Sequence, residues 1–207
     1  MRPAVLDHHF PANYAALDIE TTGLDITTCQ IIEIGVTTCM SGQVTTSSVL
    51  VKGASVPIDV VNLTGITDEM LAQHGISQDG ARDWLMLHVG NLPLVGHNCL
   101  RYDAPVISRF VGTNERCNYG LDRWRDTMAL FKGLRMGYYL RDEDTDHVKW
   151  ANGVLDQRVY GLKTNLALAC QEMGVELNIP IRHRAGTDAA LTQGLFERLR
   201  EKYSEGL

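Results

Sequence analysis

At 207 residues, 44% hydrophobic and 21% charged, the chain is long enough for one domain with a substantial core. No apolar run approaches the roughly 18–20 residues of a membrane span, and MRPAVLDHHFPANYAA at the start holds Asp, two His and Pro where a signal peptide's apolar core would lie, so a cytoplasmic protein is expected. The net charge of −6 is uneven: residues 1–110 hold 5 Lys/Arg against 11 Asp/Glu and residues 111–207 hold 14 of each, which disfavours tight binding of long duplex nucleic acid through bulk charge.

Residues 13–20 alternate as a strand, with Ala15, Leu17 and Ile19 on one face and Tyr14, Ala16, Asp18 and Glu20 on the other; Gly23 breaks it. CQIIEIGVTTCM and QVTTSSVLV are rich in β-branched residues and separated by Ser-Gly, which predicts a hairpin and, with the first strand, a three-strand antiparallel meander. Thr67 is a suitable N-cap for a short helix in TDEMLAQHG, and QDGARDWLMLHVG predicts a second helix ended by Gly90. LPLVGHN reads as a short buried strand, and DAPVISRFVG as a helix with Val106, Ile107, Phe110 and Val111 on one face. RDTMALFKGLRMG and KTNLALACQEMG carry helical spacing, and the last helix, AGTDAALTQGLFERLREKY, turns Ala185, Ala189, Leu195, Phe196 and Leu199 inward. Residues 137–161 read as a surface excursion, a hairpin inserted between helices. Five cysteines, at 29, 39, 99, 117 and 170, form no C-x-x-C pair, which argues against a zinc ribbon or a disulfide framework.

Asp18 and Glu20 pose the chemical question. Side chains two apart on a strand point the same way, with Cα atoms roughly 6–7 Å apart. Two ionised carboxylates in a half-buried place repel, at a cost of several kcal/mol unless a cation sits between them. Hard divalent ions with oxygen ligands supply that charge. A lone Asp-x-Glu is more simply a solvated strand face, so further acids must converge. Asp103 stands at a helix start, where an isolated Asp is more often a plain N-cap, and Asp188 lies on the inward, small-residue side of the last helix, five residues after His183.

Taken together, DIETTG at 18–23, GHNCLRYD at 96–103, RDTM at 125–128 and HRAGTD at 183–188 resemble the motifs of the DEDDh (DnaQ-like) 3′→5′ exonucleases, in order, with IIEIG at 31–35 and LTGIT at 63–67 as accessory matches. That family includes the proofreading exonuclease subunit of bacterial replicative polymerases, ribonuclease T and oligoribonuclease, and the resemblance covers about residues 13–201. It implies one α/β exonuclease domain of the ribonuclease-H-like fold: a mixed central sheet, the antiparallel meander plus parallel strands, flanked by helices.

The resemblance further implies metal-dependent hydrolysis of terminal phosphodiesters to nucleoside 5′-monophosphates. Asp18, Glu20, Asp103 and Asp188 would hold two divalent ions, Mg²⁺ or Mn²⁺, and His183 would be the general base, a role suited to a side chain that exchanges protons near neutral pH. Thr21, Thr22 and Leu24, with Asn98, would contact the terminal nucleotide at the 3′ end of DNA or RNA, and Asp126 would be a structural helix cap. With no basic tail in the chain, single-stranded ends or short oligonucleotides are favoured. A homodimer or a polymerase partner stays open.

His183 follows Asp126 by 57 positions, a longer spacing than in the compact proofreading subunits. The extra length falls in the 137–161 excursion. Its DEDTD run is no calcium loop, because His147 and Gly153 stand where that loop needs Gly and Glu. Arg135, Arg141, Lys149, Trp150, Arg158, Tyr160 and Lys163 in and beside it read either as a surface tracking a single strand or, more simply, as a solvated hairpin. Two other functions are open on residues alone. An aspartyl-phosphate phosphatase would need Asp where Glu20 stands and a Lys with an acidic pair, which the chain lacks. A retired nuclease serving as a binding module would be expected to have lost ligands, and here the four acids and the His are all in place.

Overall fold

The computed structural model describes residues 6–112, 119–141, 144–176 and 183–205; Cys117, and Asp142 and Glu143 of the DEDTD run, lie outside them. A one-turn helix α1 (Leu6–His9) leads into strands β1 (Tyr14–Thr21), β2 (Ile31–Met40) and β3 (Gln43–Leu50). Helices α2 (Ile58–Thr64), α3 (Asp68–His74) and α4 (Gln78–Val89) follow, then β4 (Leu94–Gly96), α5 (Asp103–Val111) and β5 (Trp124–Asp126). The chain continues through α6 (Thr127–Met136), α7 (His147–Asp156), α8 (Leu166–Glu172) and α9 (Ala185–Glu205).

The five strands form one sheet in the order β3-β2-β1-β4-β5. β1, β2 and β3 are the predicted antiparallel meander, whereas β4 and β5 run parallel to β1. The β2–β3 connection turns on Ser41 and Gly42, both at positive φ (51° and 80°), the conformation that a two-residue hairpin on twisted strands requires.

Both faces of the sheet are covered. Ala15, Leu17 and Ile19 of β1 belong to a core with Leu85, Val106, Ile107 and Trp124. Tyr14 and Ala16, on the other face, pack with Leu130, Phe131, Leu195, Phe196 and Leu199. The inward side of α9 is therefore the one its spacing predicted, with Ala185 and Ala189 buried as well.

Three elements differ from expectation. RDTM continues a strand to Asp126 before α6 begins, and α2 has no predicted counterpart. The predicted hairpin within 137–161 is the helix α7. Asp146 caps it by accepting from the Lys149 amide, and His147, Ala151 and Val154 are buried at helical spacing. Trp150 enters the gap left by Gly133, where an added Cβ would lie 2.9 Å from the indole. It is partly buried and packs against both cores.

Candidate active site

The site forms where α9 begins to cross the sheet. Asp18 pairs across the ladder with Gly35, and Glu20 with Glu33. A Cβ on Gly35 would lie 2.1 Å from the carbonyl carbon of Ala185 and 2.3 Å from the Gly186 nitrogen, so only glycine lets the helix start rest on β2. That close approach lowers Asp188, in the first turn of α9, onto the acids of β1. Carboxylate oxygens of Asp18, Glu20 and Asp188 lie within 4.8 Å of one another, a donor set and spacing that fit a hard divalent cation. Asp103, the first residue of α5, is buried. It stands outside that group of three, yet among the neighbouring charges it is the largest cause of Asp18's raised pKa.

The electrostatics are those of a site lacking positive charge. Burial, then the charges of Asp103, Asp188, Glu20 and Glu33, holds Asp18 well above the usual carboxylate range. Burial and the charges of Asp188, Glu33 and Asp103 push Glu20 up to about 8, against the pull of Arg184. Burial pushes Asp103 up to about 7, and it also raises Asp188, which His183 pulls back down.

A stability prediction follows from the sign of these shifts. Unfolded Asp and Glu titrate near pH 4, so between about pH 4 and pH 8 these four acids bind more protons in the folded protein than in the unfolded chain. Stability from these groups is therefore full below pH 4 and lost as pH rises through about 7 to 8. In EDTA the melting temperature should fall between pH 5 and pH 8 by roughly 5 °C or more. Millimolar Mn²⁺ at pH 8 should recover most of the loss, and melts that are flat across this range, or unmoved by Mn²⁺, would count against convergent charge as the cause.

His183 stands at the rim, with a largely exposed side chain; its Nδ1 is 3.2 Å from Asp188 Oδ2, and Nε2 has no partner among the described residues. The turn after β1 is laced internally. The hydroxyls of Thr21 and Tyr102 touch, and both reach the Gly23 carbonyl, at 2.8 and 2.6 Å. Thr22 accepts from the Gln30 amide through Oγ1 and donates its own amide to Gln30. Leu24 projects at the tip, 88% exposed. Asp25 is exposed but not idle, binding Thr27 and Thr28 to shape the loop. Asn98 sits at φ 60° and donates its amide to Asp126. Asp126 is the cap expected of it, accepting from Met128 and Ala129, and it also accepts from Asn98 and Leu100. One side chain thus ties the GHNCLRYD loop to α6.

Several residues around the site had no functional reading in the sequence. Tyr102 joins the loop before α5 to the Gly23 turn, and Arg109 holds that turn from below through the carbonyls of Ile26 and Cys29. His97 bridges Thr127 and the Thr164 carbonyl, Arg101 pairs with Asp156 at 2.5 Å, and Lys132 binds the carbonyls of Leu155 and Gln157. These three contacts fasten the end of α7 and the segment after it to the GHNCLRYD side of the site. The signal available for Glu33 was its place in the middle of a β-branched strand, the same anomaly that drew attention to Asp18.

A family model described as "Exonuclease" matches residues 15–196, a span that contains all the motifs quoted above. Over 125 residues the chain is 33% identical to the 3′-5′ exonuclease DinG of Staphylococcus epidermidis, covering 58% of this chain and 13% of that protein. Exonuclease I of E. coli in complex with a dT13 oligonucleotide superposes with a TM-score of 0.67 at 18% identity, covering 94% of this chain and 42% of that one. A zinc-bound complex of the E. coli enzyme with single-stranded DNA gives a TM-score of 0.66 at 15% identity, covering 92% and 40%. The chain thus spans well under half the length of these relatives. The superpositions support the ribonuclease-H-like fold that the motifs implied. With a family model covering most of its length, the chain belongs to the exonuclease family, as the DEDDh type that its motifs resemble.

Proposed function

We propose that residues 1–207 act as one exonuclease domain that removes nucleoside 5′-monophosphates from the 3′ end of nucleic acid. The observation that carries this reading is the convergence of Asp18, Glu20 and Asp188 within 4.8 Å, at the place where a β strand and a helix start meet. Asp18 would be shared between two Mg²⁺ or Mn²⁺ ions, Glu20 and Asp188 completing the first site and Asp103 serving the second. Such ions, when bound, polarise the phosphodiester and lower the pKa of the attacking water. His183 accepts that water's proton, its ring steadied by Asp188 through Nδ1. The new bond forms at phosphorus as the bond to the 3′ oxygen of the preceding nucleotide breaks, leaving a shortened strand with a free 3′ hydroxyl. Leu24, exposed on a turn held by Thr21, Thr22 and Tyr102, stacks on the terminal base or sugar, with Asn98 as a further contact to the terminal nucleotide.

Single-stranded ends and short oligonucleotides are the favoured substrates, in a cytoplasmic setting that suits the four free cysteines of the described residues. No helix among those residues is long and apolar enough to cross a membrane. A side-by-side time course on 5′-labelled single-stranded DNA, single-stranded RNA, duplex and dinucleotide tests the reading. The single strands should shorten stepwise and the duplex more slowly, and degradation of duplex alone would overturn the preference.

The strand leaves the site over residues 158–163 in this scheme. Arg158 and Lys163 are exposed, Tyr160 is fully exposed, and His97 ties the segment to the site through Thr164. Base–aromatic stacking contributes about 1–3 kcal/mol. Replacing Arg158 and Tyr160 together with Ala should therefore raise KM for a long oligonucleotide roughly 5-fold or more and leave a dinucleotide unaffected. An unchanged KM would make the segment a solvated loop.

A further inference from the structure

One acid of the cluster cannot be a ligand. Glu33 is 1% exposed and lies directly across the ladder from Glu20, yet both of its oxygens are committed to the protein. Oε1 accepts from Ser48 Oγ at 3.1 Å and from an Arg184 terminal nitrogen at 2.8 Å. Oε2 accepts from Arg184 Nε at 2.9 Å and from the Ala185 amide at 3.0 Å. A carboxylate has about four acceptor sites, so four donors leave nothing for a cation.

The partners are as informative as the count. Arg184 and Ala185 lie between His183 and Asp188 in HRAGTD, and Ala185 opens α9. Its amide is one of the helix's unpaired first-turn donors, so Glu33 caps α9 from a neighbouring strand. The guanidinium grips Glu33 with two parallel bonds, a geometry that fixes orientation as well as distance. On the underside, Gly35 and Ser48 meet Ala185 and Gly186 with no room to spare. The start of α9 is therefore held to β2 and β3 by charge, by backbone and by contact.

We propose that Glu33 and Arg184 are positioning residues for the metal centre: their forked ion pair sets the register of α9 against β1, which brings Asp188 to Asp18 and Glu20 and keeps His183 against Asp188. The inference rests on the exonuclease reading and assigns the pair no contact with substrate. Glu33→Gln keeps the shape and removes the charge. Arg184→Lys, at a partly exposed side chain, keeps the charge and removes the fork.

Calorimetric titration of the full chain with Mn²⁺, alongside thermal melts and steady-state kinetics on an oligonucleotide, tests the proposal. Outer partners of metal ligands typically affect metal affinity by roughly 10–100-fold, so both variants should bind Mn²⁺ weaker by about that factor. KM for the oligonucleotide should stay within about 2-fold, and activity at limiting Mn²⁺ should fall in parallel with affinity. Should Glu33→Gln fail to fold, Arg184→Lys alone must show the loss. Wild-type Mn²⁺ affinity in folded variants, even with a lowered melting temperature, would reduce the pair to a fold clamp and overturn the proposal. A raised KM at unchanged affinity would overturn it too, assigning Arg184 to the substrate. A wild-type protein that neither binds Mn²⁺ nor degrades the oligonucleotide would instead refute the exonuclease reading on which the inference stands.

Discussion

Asp18→Asn is expected to lower turnover by about 10³-fold or more while raising the melting temperature of the metal-free protein. The two effects share one cause. Asp18 lies among the acids of the cluster, and burial, then the charges of Asp103, Asp188, Glu20 and Glu33, raise its pKa. Removing its charge relieves that repulsion in the metal-free state, and Asn fills the same volume. In the proposed mechanism the same charge would hold a cation between the acids, and the stabilisation a cation offers a phosphoryl transition state amounts to several kcal/mol, or about a factor of ten for each 1.36 kcal/mol. A variant that is more stable and inactive is the signature of a site built for ligand binding at the expense of stability. A variant with near-normal Mg²⁺-dependent turnover, or one destabilised in EDTA, would contradict the assignment.

Gly35→Ala should be as damaging to the fold as Asp18→Asn is to catalysis. The added methyl would meet backbone atoms of Ala185 at 2.1 Å, and that backbone is fastened by Glu33 and by the packing of Leu195, Phe196 and Leu199 further along α9. Neither side can yield cheaply. Overpacking of this kind costs about 3 kcal/mol, roughly 6–12 °C in melting temperature for a chain of this size. Whatever folds should bind Mn²⁺ poorly, because lifting α9 withdraws Asp188. Gly153→Ala is the matched control. Gly153 lies within α7 with nothing near its Cβ position, so alanine there should stabilise slightly through helix propensity. If Gly35→Ala melts and binds metal like wild type, the close approach of α9 does not position the site.

What could be read from residues alone follows a physical division. The carboxylates declared themselves because charge on a buried strand or an inward helix face is anomalous wherever it occurs, and the meander and α9 because their apolar periods are long and regular. The short β5 and α2 carried too few residues for a period to show. α7 was obscured because polar residues and Gly153 interrupt a helical pattern that only three buried positions, His147, Ala151 and Val154, preserve. Beyond local pattern lie the contacts that organise the site. Tyr102 reaches a carbonyl 79 residues away, and Arg184 reaches a carboxylate 151 residues away. Nothing in the local sequence of either residue encodes its partner. Thr21 and Thr22 illustrate the converse: their hydroxyls bond within the turn that presents Leu24, an internal role that the motif itself does not spell out.

The central claim is that four carboxylates from three elements form a metal centre for cutting at a 3′ end. The most direct measurement is a time course on a 5′-labelled single strand, resolved at single-nucleotide steps, with Mg²⁺ or Mn²⁺ and in excess EDTA, for wild type and Asp18→Asn. A ladder shortening one nucleotide at a time from the 3′ end, present only for wild type with metal, is the predicted result. Internal cleavage, immediate release of the labelled 5′ nucleotide, or digestion that persists in EDTA would contradict it.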